Sequence, residues 1–80
     1  MSHEMSYQKR LGIRIAVARC EKNYSQRFFA LMIELDRNTL SAIENGGGNP
    51  TLGTLERIAV GLEIGLDELL DCQNGLHERE

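Results

Sequence analysis

Between Ser25 and Gly46, two short segments of helical apolar spacing are separated by only three residues, Glu34, Leu35 and Asp36. No other feature restricts the fold as much, because so short a turn forces two helices to cross steeply and in close contact. Ser25 is a favourable N-cap for the first segment, which turns Phe29, Ala30 and Ile33 inward. Asp36 caps the second, where Leu40 and Ile43 fall three apart on one face. Ala30 stands where the two helices must approach most closely, so a small side chain is required there. Phe29, Ile33, Leu35, Leu40 and Ile43 then supply the apolar contacts that lock the crossing. Gly46 follows Asn45 at the point where a helix usually stops, and Gly47 and Gly48 lengthen the loop.

The flanking sequence predicts three more helices. Leu11, Ile15 and Ala18 form a buried stripe on a helix running from Ser6 or Tyr7 to about Lys22, ended by a left-handed Asn23. After Pro50, Thr51 caps a fourth helix that buries Leu55, Ile58, Ala59 and Leu62. A short fifth helix, Leu66 to Asp71, offers Leu66, Leu69 and Leu70. There is no β-alternation, internal repeat or linker. The expectation is an all-α fold: one domain over residues 1–80, with five helices, an ordered part at about 7–72 and loose ends at 1–6 and from Gln73.

Composition removes several alternatives. Eighty residues make one small domain near the lower limit for a self-sufficient core. Cys20 and Cys72 have neither a CxxC spacing nor histidines at ligand spacing, so no metal, cofactor or disulfide framework is implied. The apolar runs Ile15 to Ala18 and Phe28 to Ile33 are too short to span a membrane, and the N-terminus lacks an apolar signal core, which predicts a cytoplasmic protein. An enzyme is not expected. His3 and His77 lie near the ends, no base neighbours either cysteine, and the glycine run ends a helix instead of following a strand. The net charge of −3 conceals a segregation: residues 1–40 carry +3 and residues 41–80 carry −6. Such asymmetry permits one half to face nucleic acid while the other avoids it.

The joint order and spacing from Leu11 to Leu70 resembles the lambda-repressor-like, or Xre-type, helix-turn-helix regulators. The matching stretches are Leu11-Gly12-Ile13-Arg14-Ile15, Arg19, Ser25-Gln26 and Asp36 through Gly46. They continue in Asn49-Pro50-Thr51-Leu52, Leu55-Glu56-Arg57-Ile58-Ala59 and Leu66-Asp67-Glu68-Leu69-Leu70. The Leu-Asp-Arg lead into the third helix also looks like the controller proteins of restriction-modification systems. The resemblance implies a sequence-specific transcription regulator, a homodimer reading a palindrome in double-stranded DNA with its third helix in the major groove. Arg37 and Asn38 would read base edges and Ser41 would assist, since Arg forks onto guanine and Asn pairs with adenine. Gln26, Thr39, Asn45 and the Gly46 N–H would hold phosphates. Arg19 and Glu44 would form a structural ion pair between the first helix and the end of the third.

Departures from that pattern carry information too. Family members usually have glycine at the positions of Glu34 and Glu63, so these turns are either strained or differently built. Glycines 47 and 48 stand where basic residues are common, which predicts a shallow salt dependence of DNA affinity. Ile13, Ala16, Val17 and Cys20 on the first helix, with Phe28, Leu31 and Met32 on the second, are apolar where the family is usually polar. Either residues 1–8, with Met5 and Tyr7, cover them, or they form a patch for a second subunit or a protein partner. The alternative function is therefore a protein-interaction module or antitoxin-like protein on the same fold.

Overall fold

The computed structural model describes residues 6–71; the expectations for residues 1–5, including Met5 and His3, and for Cys72 and the tail beyond it lie outside them. Five helices follow in order: α1 (Tyr7–Glu21), α2 (Gln26–Met32), α3 (Arg37–Glu44), α4 (Leu52–Leu62) and α5 (Leu66–Leu70). Among the described residues there is no strand.

The helix ends are built alike. Ser6, Ser25, Asp36 and Thr51 each sit in extended backbone and accept hydrogen bonds from amides two or three residues on, satisfying donors that a first turn leaves open. Ser6, expected in the loose end, is thus the cap of α1. The other ends close in one motif. After α1, α2 and α3 the residue beyond the C-cap is left-handed, Asn23 (φ 62°), Glu34 (φ 59°) and Gly46 (φ 85°), and at α4 the C-cap itself is, Glu63 (φ 63°). The next residue then bonds back to the carbonyl five before it: Tyr24 to Arg19, Leu35 to Ala30, Gly47 to Ala42 and Ile64 to Ala59. After α1, α2 and α4 that residue is apolar and packs on the core; after α3 it is a glycine.

Leu11, Ile15, Phe29, Ala30, Ile33, Leu40, Ile43, Ile58, Ala59, Leu62 and Leu69 form the buried core. Ala18, Leu55, Leu66 and Leu70 lie at its margin, half-buried, instead of inside it. The tightest crossing involves Gly12. A Cβ there would overlap the carbonyl oxygens of Ile43 and Glu44, so α1 lies directly on the backbone of the end of α3. Tyr7 does not cover the outer apolar residues. It packs against the core, and its hydroxyl donates to the Leu70 carbonyl at 2.9 Å, joining α1 to α5. Ile13, Val17, Phe28, Leu31 and Met32 remain exposed.

The end of α2 differs from expectation. Helix α2 stops at Met32, with Ile33 as C-cap, because the left-handed residue at Glu34 draws the chain out of the helix there. Both glutamates expected to be either strained or rebuilt are held left-handed, and the hydrogen bonds of the closing motif keep them so.

Candidate nucleic-acid interface

Helix α3 is held from behind and open in front. Leu40 and Ile43 are buried under it, while Arg37, Asn38, Thr39 and Ala42 are exposed and Ser41 is half-buried. The Asp36 carboxylate accepts from the Asn38 and Thr39 amides at 3.0 and 3.2 Å, so the first turn is rigid although exposed. A groove of about 460 Å³ runs between this face and the start of α4, bordered by Asn38, Thr39, Ala42, Asn49, Thr51 and Thr54. From Arg37 to Pro50 the only positive side chain is Arg37 itself.

At the far end of α3, Arg19 grips Glu44. Its Nε donates to Oε2 at 2.7 Å and its Nη2 to Oε1 at 3.0 Å, a planar two-pronged pairing. Arg19 Nη1 also donates to the Tyr24 carbonyl at 2.6 Å, tying the pair to the turn after α1. Glu44 is 8% exposed, and its hydrogen bond to Arg19 holds the guanidinium pKa above the ordinary arginine value. Gln26 completes the group, donating Nε2 to Glu44 Oε1 at 2.9 Å. The structure thus gives Gln26, read as a phosphate ligand, a partner within the protein.

The other positions separate. The Gly46 N–H donates to the Ile43 carbonyl at 3.0 Å, so it is engaged inside the turn and not offered outward. Asn45 is the C-cap with φ −90°; its backbone N–H bonds Ser41 and its side chain is exposed. Lys9 is a residue that sequence spacing did not single out. It lies against the end of α3, its Cα 3.0 Å from where a Cβ on Gly46 would be. The available signal was its position one turn before Gly12, on the side of α1 that meets α3.

This order of helices, with α2 crossing behind an outward α3, defines a helix-turn-helix protein. The chain belongs to the helix-turn-helix family, whose profile matches residues 15–69. It is an Xre-like DNA-binding transcription regulator of that family, and its homologues are controller proteins, not enzymes. It is 48% identical over 61 residues to the control protein C.MunI of a Mycoplasma species, covering 75% of this chain and 82% of that one. The restriction-modification controller C.AhdI from Aeromonas hydrophila is 31% identical, with a TM-score of 0.75 over 78% of this chain and 94% of its own. C.Esp1396I bound to a 19-base-pair DNA duplex is 32% identical, with a TM-score of 0.73 over 82% of this chain and 92% of its own. Among the described residues no helix is long and apolar enough to cross a membrane.

Proposed function

We propose that this chain is a cytoplasmic controller of a restriction-modification system that reads a palindromic operator as a homodimer. The observation that carries the reading is the exposed, capped first turn of α3, backed by a clamp at its other end. Arg37 and Asn38 read base edges, with Ser41 one turn on. Thr39 and the Asn45 side chain hold phosphates. Gln26 joins them, because an amide nitrogen has two hydrogens and Glu44 takes only one. Lys9 replaces the Gly46 N–H in that group. One short reading helix makes few base contacts, so two half-sites about one helical turn apart are required. The likeness to C.MunI and to a DNA-bound controller supports both the DNA target and the regulatory setting.

The exposed Ile13, Val17, Phe28 and Leu31 favour a second reading, a module that binds a partner protein in an antitoxin-like role. Selection of duplexes from a random library, followed by anisotropy titration at two salt concentrations, separates the two. A selected palindrome supports the first reading. No binding to any duplex at about 50 mM salt, where phosphate attraction is strong, sinks it.

A further inference from the structure

Asn45 and Gly46 form an asparagine–glycine pair where α3 ends. Asparagine loses its amide most readily before glycine, which puts no side chain in the way of the attacking backbone nitrogen. The Asn45 side chain is exposed, so water reaches it. Cyclisation requires the Gly46 nitrogen to meet Cγ, the side-chain carbonyl carbon of Asn45. In the closed helix end the two are kept apart. Asn45 has ψ 5°, which turns that nitrogen away from the side chain, and the Gly46 N–H is donated to the Ile43 carbonyl.

The reaction therefore depends on how firmly this end is closed. Beyond Asn45 it is held by two backbone hydrogen bonds, Gly46 to Ile43 at 3.0 Å and Gly47 to Ala42 at 2.8 Å. A hydrophobic contact commonly accompanies this closing motif. Tyr24, Leu35 and Ile64 supply it after α1, α2 and α4, each packed against the core. Gly47, exposed and without a side chain, supplies none after α3. Beside Gly46 lies the stem of Lys9, a flexible side chain. A segment with few buried contacts opens locally at a small fraction of the free energy of global unfolding.

We infer that Asn45 is a deamidation site gated by opening of the α3 end, and that its conversion disables operator binding. When the end opens, the Gly46 nitrogen attacks Cγ of Asn45. A bond forms between them, the bond from Cγ to the side-chain nitrogen breaks, and ammonia leaves with the proton shed by the Gly46 N–H. Water then opens the five-membered imide at either carbonyl, giving aspartate or isoaspartate. Either product puts a carboxylate where a phosphate is to be held, and the two repel. That consequence rests on the proposed contact between Asn45 and a phosphate; the chemistry does not.

Peptide mapping by mass spectrometry, on folded full-length protein incubated at mildly alkaline pH, tests it. Fragmentation separates Asn45 from Asn74-Gly75, the other such pair in the sequence, and from Asn49, whose following proline has no N–H. Asn45 should convert to both products within about a hundred times the half-life in the urea-unfolded chain, a factor below that for global unfolding. Gly47→Ala keeps the reacting pair and adds a Cβ that meets only the Ala42 carbonyl oxygen, at 3.5 Å. It should slow the conversion with circular dichroism unchanged, because a less flexible chain opens less. Asn45→Asp should bind a selected duplex about tenfold or more weakly than fresh wild type, as for one lost hydrogen bond to a charged group. An Asn45 that outlasts that period overturns the inference, as does Gly47→Ala converting at the wild-type rate or Asn45→Asp binding at full strength. If fresh wild type binds no duplex, the operator reading fails and the loss of function falls with it, while the mapping still decides the chemistry.

Discussion

Arg19 and Glu44 meet through two parallel hydrogen bonds, 2.7 and 3.0 Å long, across the seam between α1 and the last residue of α3. The glutamate is buried, and its remaining neighbour, Gln26, is neutral. Removing the guanidinium strands a carboxylate, and breaking one side of such a pair costs about 3–5 kcal/mol. Arg27 is exposed, and substitutions at such positions stay within about 0.5 kcal/mol. Arg19→Ala should therefore melt far below the wild type and Arg27→Ala close to it. Equal melting temperatures for the two variants would contradict the clamp.

Gly12→Ala should destabilise the fold, against the trend of helix propensity. In an open helix the change gains about 1 kcal/mol. Here the new methyl overlaps two carbonyl oxygens of α3, which are backbone and cannot rotate aside. Overpacking of this kind costs about 1–3 kcal/mol or more. Thermal melts decide it, and a variant as stable as the wild type would mean that α1 and α3 are further apart.

Glu34→Gly should stabilise. A left-handed L-residue costs about 1–2 kcal/mol, and glycine's greater freedom in the unfolded chain returns roughly half of that. A net gain of about 0.5–1 kcal/mol corresponds to a few degrees in Tm for a domain this small. Glu63→Gly should gain less, because Glu63 also pairs with Lys22 Nζ at 3.0 Å. The reverse order would show that the Lys22 contact contributes nothing.

The Lys22–Glu63 contact also has a pH signature. Its hydrogen bond raises the Lys22 pKa in the folded chain above the ordinary 10.5. A raised folded-state pKa stabilises below the unfolded value and is lost as pH rises through the folded one. The stability difference between wild type and Lys22→Met should therefore be constant at neutral pH and vanish above the ordinary lysine range. A difference that persists at pH 12 would place its origin in packing.

Arg37→Ala and Asn38→Ala should leave Tm nearly unchanged and relax discrimination at one base pair per half-site, each by about 1–3 kcal/mol. Competition titrations with single-base operator variants measure this. In the same assay the wild type should show a shallow salt slope, since each neutralised phosphate adds about −0.9 and this surface offers few cations. A steep slope, or a uniform loss of affinity across all operator variants, would assign Arg37 to the phosphates.

How much of this could be read before the structure varies with the physics involved. The helix starts at Ser25, Asp36 and Thr51 were legible because a cap bonds amides two or three residues away, and so were the core positions that recur at helical spacing. Gly12 was not assigned a role, since only the partner across the gap shows why a side chain is excluded. Gln26 was read from its place at a helix start; its bond to Glu44, eighteen residues on, depends on how α2 meets α3. Glu34 and Glu63 were visible as anomalies, but whether the turn or the residue would yield depended on the carbonyl bonds that close the helix. The Gly46 N–H meets the same closing motif, which bonds it to the Ile43 carbonyl, a partner that its position in the sequence does not disclose.

The clamp of Arg19, Gln26 and Glu44 grips α3 only at its C-terminal end, while Arg37 and Asn38 stand in its first turn and Ser41 one turn on. In mechanical terms the helix is a cantilever, its root built into the wall by the clamp and its exposed tip stiffened by the Asp36 cap. On the proposed reading of the operator, load-carrying and information-carrying residues are then different residues. The tip can be randomised at three positions as a library while the root stays fixed, so that a change of operator preference need not be a change of fold.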